Sequence, residues 1–125
     1  MGFWIFMTVV DLLIPAIMIL FGAIFSRRAP KSINFVYGYR TERSMKNEET
    51  WVFAHKFLGK LWLITGAIML ALSFAIMIIF MNSSETVVSL VGTVLCFVQI
   101  AGLVIPIFPV ESALEKNFDK NGNRK

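Results

Sequence analysis

Two groups of residues in this 125-residue chain have side chains able to do chemistry. The first centres on Asp11, a lone acid inside the apolar run Phe3 to Phe25. An acid in hydrocarbon costs about 3 kcal/mol on insertion scales, so it turns inward and takes a partner. Two further apolar runs follow, Leu61 to Met81 and Val87 to Pro109. Aligning the ends of the runs, at ~1.5 Å rise per residue, puts Asp11 roughly 12 Å deep. Ser73 and the stretch from Thr93 to Gln99 reach the same depth. A polar cluster of Asp11, Ser73, Thr93 and Gln99 is expected. It has two readings: a proton- or ligand-responsive site, or a neutral Asp11 hydrogen-bonded to Gln99 or a hydroxyl to fix helix register.

The second group lies between the first two runs. Asn34, Tyr37, Gly38, Arg40, Thr41, Ser44, Asn47, Trp51 and His55 form a candidate ligand or partner site, with Tyr39, Glu48 and Lys56 interspersed. The fork of Arg40 suits a carboxylate or phosphate. Asn34 and Asn47 suit loop pinning, and His55 can titrate near neutrality. The competing reading is an interface anchor, with arginines on lipid phosphate, aromatics in the belt and His55 solvated.

Other chemistries lack a basis. One His and one Cys, at different expected depths, make neither a zinc site nor a Cys–His nucleophile pair. Asp11 and His55 fall at opposite ends of the bundle, so they share no triad. No phosphate-cradling glycine loop is present. A carboxylate metal site on Glu48, Glu49, His55 or Glu111 has no motif behind it. No metal and no cofactor is expected.

The elements that must hold these residues are helices in a bilayer. Each run approaches the ~20 residues a helix needs to cross roughly 30 Å of hydrocarbon. The expected fold is an all-α integral membrane protein with three spans, at about 3–25, 61–81 and 87–109. All twelve Lys and Arg residues fall in two blocks, Arg27 to Lys60 and Lys116 to Lys125. Basic residues beside spans stay in the cytoplasm, so the N-terminus is expected outside and the C-terminus inside. This bias explains the net charge of +4 without nucleic acid, and membrane lipids are the first expected partners. The N-terminal run lacks the basic lead-in and cleavage site of a signal peptide. Cys96 is a single cysteine, so no internal disulfide forms.

Thr8, Asp11, Pro15, Met18 and Gly22 share one face of the first helix, and Pro15 is expected to kink or loosen it. Residues 34–46 suit an interfacial loop. Ser44 or Asn47 then caps one long helix from about Glu48 to Met81. Gly59, Ala67, Ala71 and Ala75, with Gly66 adjacent, are expected to form its packing stripe. The third helix is expected to turn Ser89, Thr93, Cys96 and Gln99 toward protein. Pro106 and Pro109 end it, Ser112 to Glu115 has the form of a capping box, and the polar tail to Lys125 is expected to fray. The chain is one domain, 1–125, with the motif at 34–59 and the tail at 112–125.

The stretch from Asn34 to Gly59 closely resembles the signature of the SdpI family, bacterial immunity proteins to a sporulation-delaying toxin peptide. The family's Asn, Gly-x-Arg-Thr, Ser-x-x-Asn, Trp and Gly fall on Asn34, Gly38 to Thr41, Ser44 and Asn47, Trp51 and Gly59. The resemblance is to a short three-span form. It implies a multi-pass protein of the bacterial cytoplasmic membrane that confers toxin resistance. A secreted antimicrobial peptide is the implied ligand and a cytoplasmic repressor an implied signalling partner. The alternative reading is a proton- or ion-coupled transporter, which needs a homo-oligomer because three helices enclose little space. The third is a membrane-surface enzyme using Arg40 to orient an anionic substrate, with His55 and Glu48 or Glu49 as acid and base.

Overall fold

The computed structural model describes residues 2–31 and 39–125. Among them are four α-helices: α1 (Gly2–Arg27), α2 (Glu48–Ile79), α3 (Glu85–Val104) and α4 (Ile107–Asn117). Three helical stretches, α1, α2 and Glu85–Asn117 (α3 with α4), are long and apolar enough to cross a membrane. Ile64, Leu72, Leu90, Phe97 and Phe108 are exposed on the outer faces. In water such surface would be a liability; in lipid it is the ordinary exterior.

Contacts fix the order of the helices. Trp4 donates its indole N–H to the carbonyl of Met77 at 2.6 Å, while Gly22 near the other end of α1 abuts Gly59 and Leu63. So α1 and α2 run antiparallel. Met7 and Asp11 lie beside Gly92 and Gln99, so α3 runs parallel to α1. The end of α1, residues 39–47, the start of α2, and α4 therefore share one end of the bundle, here called the basic end.

The α1 face is the one its spacing predicts. Thr8, Asp11, Pro15, Met18, Gly22 and Phe25 are its buried residues. Alternating steps of three and four keep them on one stripe. The α1–α2 contact is close because it is made of backbone. A Cβ on Gly22 would sit 2.8 Å from the Leu63 nitrogen and 2.9 Å from the Gly59 carbonyl oxygen. Glycine permits that approach where any side chain would force the helices apart.

On α2 the packing stripe differs from the expected one. Gly59, Gly66, Ser73 and Met77 are buried, whereas Ala67, Ala71 and Ala75 are exposed. Gly59, Gly66 and Ser73 recur every seven residues, with Met77 four further on. The helix starts where expected. Asn47 accepts from the Thr50 N–H at 2.9 Å, and the Thr50 hydroxyl accepts from the Asn47 N–H at 3.1 Å. That reciprocal cap satisfies two otherwise orphaned donors. Its first segment, Glu48 to Lys60, carries Glu48, Glu49, Lys56 and Lys60, so it projects beyond the hydrocarbon.

The C-terminal part corrects two expectations. Pro106 ends α3 but also caps α4, which begins at Ile107. Ser112 and Glu115 thus lie inside a running helix and form no capping box. The tail does not fray. Gly122, at φ 83°, turns it back so that its carbonyl accepts the Asn47 side-chain N–H at 2.7 Å. Arg124 pairs with Glu49 at 3.0 Å and lies over the Phe118 ring at 4.9 Å.

Candidate functional site

Two sites take shape, one at each level of the bundle. At the basic end, the segment Tyr39 to His55 folds into a hydrogen-bonded corner. Ser44 is fully buried, and its hydroxyl donates toward the Tyr39 and Thr41 carbonyls while accepting the Thr41 N–H at 2.9 Å. Thr50 donates to the Ser44 carbonyl at 3.0 Å. Trp51 reaches back to the Pro30 carbonyl at 3.0 Å. The Tyr39 hydroxyl donates to Glu111 of α4 at 2.6 Å. Burial, then the Glu111 carboxylate, push that hydroxyl well above the ordinary tyrosine range.

His55 is the keystone of the corner. It is 0% exposed. Its Nδ1–H donates to the Trp51 carbonyl at 2.8 Å, and its Nε2 accepts the Tyr39 backbone N–H at 2.8 Å. An N–H can only be accepted by an unprotonated nitrogen, so the ring is neutral and one tautomer is fixed. Phe25 meets it edge-on at 4.9 Å and Trp51 packs at 4.3 Å. Burial pushes its pKa below the usual histidine value. His55 is therefore buried and bonded at both ring nitrogens, not solvated. Arg40 and Glu48 remain exposed. Asn34, Tyr37 and Gly38 lie outside the described residues.

Asn47, Thr41, Ser44 and Trp51 are thus occupied in building the corner. Sequence reasoning missed Tyr39 and Glu111 as its fasteners. The signal available was an aromatic hydroxyl in the motif and one acid early in α4.

The second site lies in the opposite half, inside the span. Gln99 donates through Nε2 to the Asp11 backbone carbonyl at 2.6 Å and to the Ser73 hydroxyl at 2.8 Å. The first bond has a cause in the sequence. In a helix the N–H of residue 15 would bond to the carbonyl of residue 11, and Pro15 has no N–H. Gln99 supplies the missing donor from another helix, so α1 continues through Pro15 without a break. The Cys96 thiol contacts the Asp11 carboxyl at 3.0 Å. Asp11, Ser73 and Gln99 are all buried.

Thr93 is not in this cluster. It is exposed and donates to the Ser89 carbonyl of its own helix at 2.8 Å. Ser89 is exposed too; the inward face of α3 runs through Val88, Gly92 and Gln99. Among the described residues, three buried oxygens of this region have no hydrogen-bond partner: Asp11 Oδ2, Gln99 Oε1 and Thr8 Oγ1. Replacing Gln99 with Leu strips two bonds at once and is expected to cost about 1–2 kcal/mol. In a Pro15→Ala background the helix regains its own donor, so the loss should be smaller. Unfolding in detergent for the four members of this cycle measures the difference.

Over 52 residues the chain is 40% identical to the uncharacterized protein YfhL of Bacillus subtilis (strain 168). That stretch is 42% of this chain, and the chain covers 47% of YfhL, about half its length. No solved structure matches. A model of the SdpI/YfhL protein family matches residues 31–110, which take in the corner, all of α2 and all of α3. With three membrane-length helices around that signature, the chain is a multi-pass bacterial membrane protein that belongs to the SdpI/YfhL family.

Proposed function

We propose that the chain is an immunity protein that protects its own membrane from a secreted, membrane-active peptide. The observation that supports this is membership of the SdpI/YfhL family over residues 31–110. In the proposed orientation the basic end faces the cytoplasm and the Asp11 half faces outward. The peptide engages the outer half of the bundle, where parting the helices would open the buried Asp11, Gln99 and Thr8 oxygens, which lack donors. A peptide entering lipid brings backbone N–H groups that need acceptors. The corner around His55 holds the helices in register, and Arg40 serves as the contact for a cytoplasmic partner. The test is survival of a toxin-sensitive bacterium expressing the chain under challenge with purified sporulation-delaying peptide. Protection is expected to fall on Arg40→Gln and on Asp11→Asn, and to persist on Glu48→Gln. Survival no better than with an empty vector, at matched membrane levels, rejects the proposal.

A transport reading draws on the same three oxygens, which would suit a proton or small cation. It needs several copies around a shared path. Ion flux into liposomes that is lost on Asp11→Asn supports it; a strictly monomeric chain in lipid removes it.

A further inference from the structure

A cavity of about 590 Å³ opens between α1, α2 and the α3–α4 junction at the level where the bundle meets its basic end. That volume falls within the roughly 300–1,000 Å³ of small-molecule sites. Its walls are Ile17 and Phe21 of α1, Leu58 and Trp62 of α2, Val104 of α3 and Ile107 of α4. Arg40 and Thr41 form its polar mouth. The space is thus graded from hydrocarbon to a guanidinium. Arg27, Arg28, Lys31, Lys56 and Lys60 are all exposed at this end of the bundle, so the surrounding field is positive. The Trp62 indole N–H is buried and, among the described residues, has no hydrogen-bond partner.

We infer that this cavity seats one anionic phospholipid, with an acyl chain along Ile17, Phe21 and Val104 and its phosphate at Arg40. The occupant must be apolar at one end and anionic at the other, and it must enter from the bilayer. Phosphate binds a guanidinium through paired, charge-assisted bonds, whatever else Arg40 touches. A zwitterionic lipid offers the same tail but carries its own cation, so the positive field does not favour it. This site goes beyond the immunity reading and shares Arg40 with it, so the Val104 variant, which touches the cavity and not Arg40, separates the two.

The experiment uses the full chain in phosphatidylcholine vesicles doped with brominated phosphatidylglycerol or brominated phosphatidylcholine, with tryptophan fluorescence as the readout. Brominated phosphatidylglycerol should quench in a saturable way at a few mole per cent, on the order of one site per chain. Brominated phosphatidylcholine should quench only in proportion to its mole fraction. The saturable part should vanish in Trp62→Phe and move to about tenfold higher lipid in Arg40→Gln. Val104→Phe, which narrows the cavity from the α3 side without adding a fluorophore, should weaken it as well, with helicity by circular dichroism unchanged. Equal quenching by the two lipids overturns the inference, because it marks ordinary surrounding lipid. So does a saturable component that survives in Trp62→Phe, since the lipid would then lie near Trp4 or Trp51. Displacement by soluble glycerol phosphate also overturns it, because the site would then be a headgroup site without a tail.

Discussion

Gly59→Ala is expected to destabilise the bundle by about 3 kcal/mol, at the upper end of the usual cost of overpacking. The added methyl would meet Ser26 N, Gly22 O and the carbonyl carbon of Phe25, all of them backbone. A side chain can rotate away from a clash, but a helix backbone can only translate. Separation of α1 and α2 at this point would also loosen His55, which packs on Phe25 just above it. With total stabilities of roughly 5–15 kcal/mol, such a change is a large fraction of the whole. The measurement is unfolding in detergent, with Gly2→Ala as control. Nothing lies within 4 Å of the Gly2 position, so that variant should stay within about 0.5 kcal/mol of the parent.

The second large effect is at His55. His55→Ala removes the ring packed against Phe25 and Trp51 and leaves the Tyr39 N–H buried without an acceptor. A loss of about 3 kcal/mol or more is expected from the two causes together. The site also makes stability depend on pH. Burial holds the folded imidazole below its ordinary pKa, so the unfolded chain binds a proton more readily than the folded one. Above the ordinary histidine range both states are neutral and the full stability is present. As pH falls through that range the unfolded state gains a proton, and stability drops until the folded pKa is reached. The Tyr39 hydroxyl, pushed upward, stays protonated throughout and does not contribute. Thermal unfolding of the parent between pH 8 and 5 should show this decline. His55→Phe, which keeps an aromatic ring, should start lower but lose that part of the slope. Parallel curves for the two proteins would refute the assignment.

Much of the architecture was legible because lipid leaves few choices. Three runs of spanning length, and no proline between Asn47 and Pro106, mark the long helix and its partners. The α1 face was legible because polar and small residues repeat at helical spacing. The α2 stripe was misread because alanine is acceptable against lipid as well as against protein. Only the seven-residue spacing of Gly59, Gly66 and Ser73 separates the two. Thr93 was misplaced for a different reason: a hydroxyl can satisfy itself on the preceding turn, so it carries no instruction to face inward. The tail was unreadable because its anchor, Asn47, lies 75 residues away in sequence. His55 was read by its ordinary pKa, whereas the residue that silences it contributes a backbone N–H that no side-chain pattern announces.

The 32 residues of α2 form a single unbroken rod. At ~1.5 Å per residue it is about 48 Å long, and roughly 30 Å of that suffices for the hydrocarbon. The overhang is a lever. Pivoting the rod by about 10° about its Ile79 tip would swing the Glu48 tip through roughly 8 Å. Because Asn47 and Glu49 tie that tip to Gly122 and Arg124, any swing of the tip would carry the tail with it.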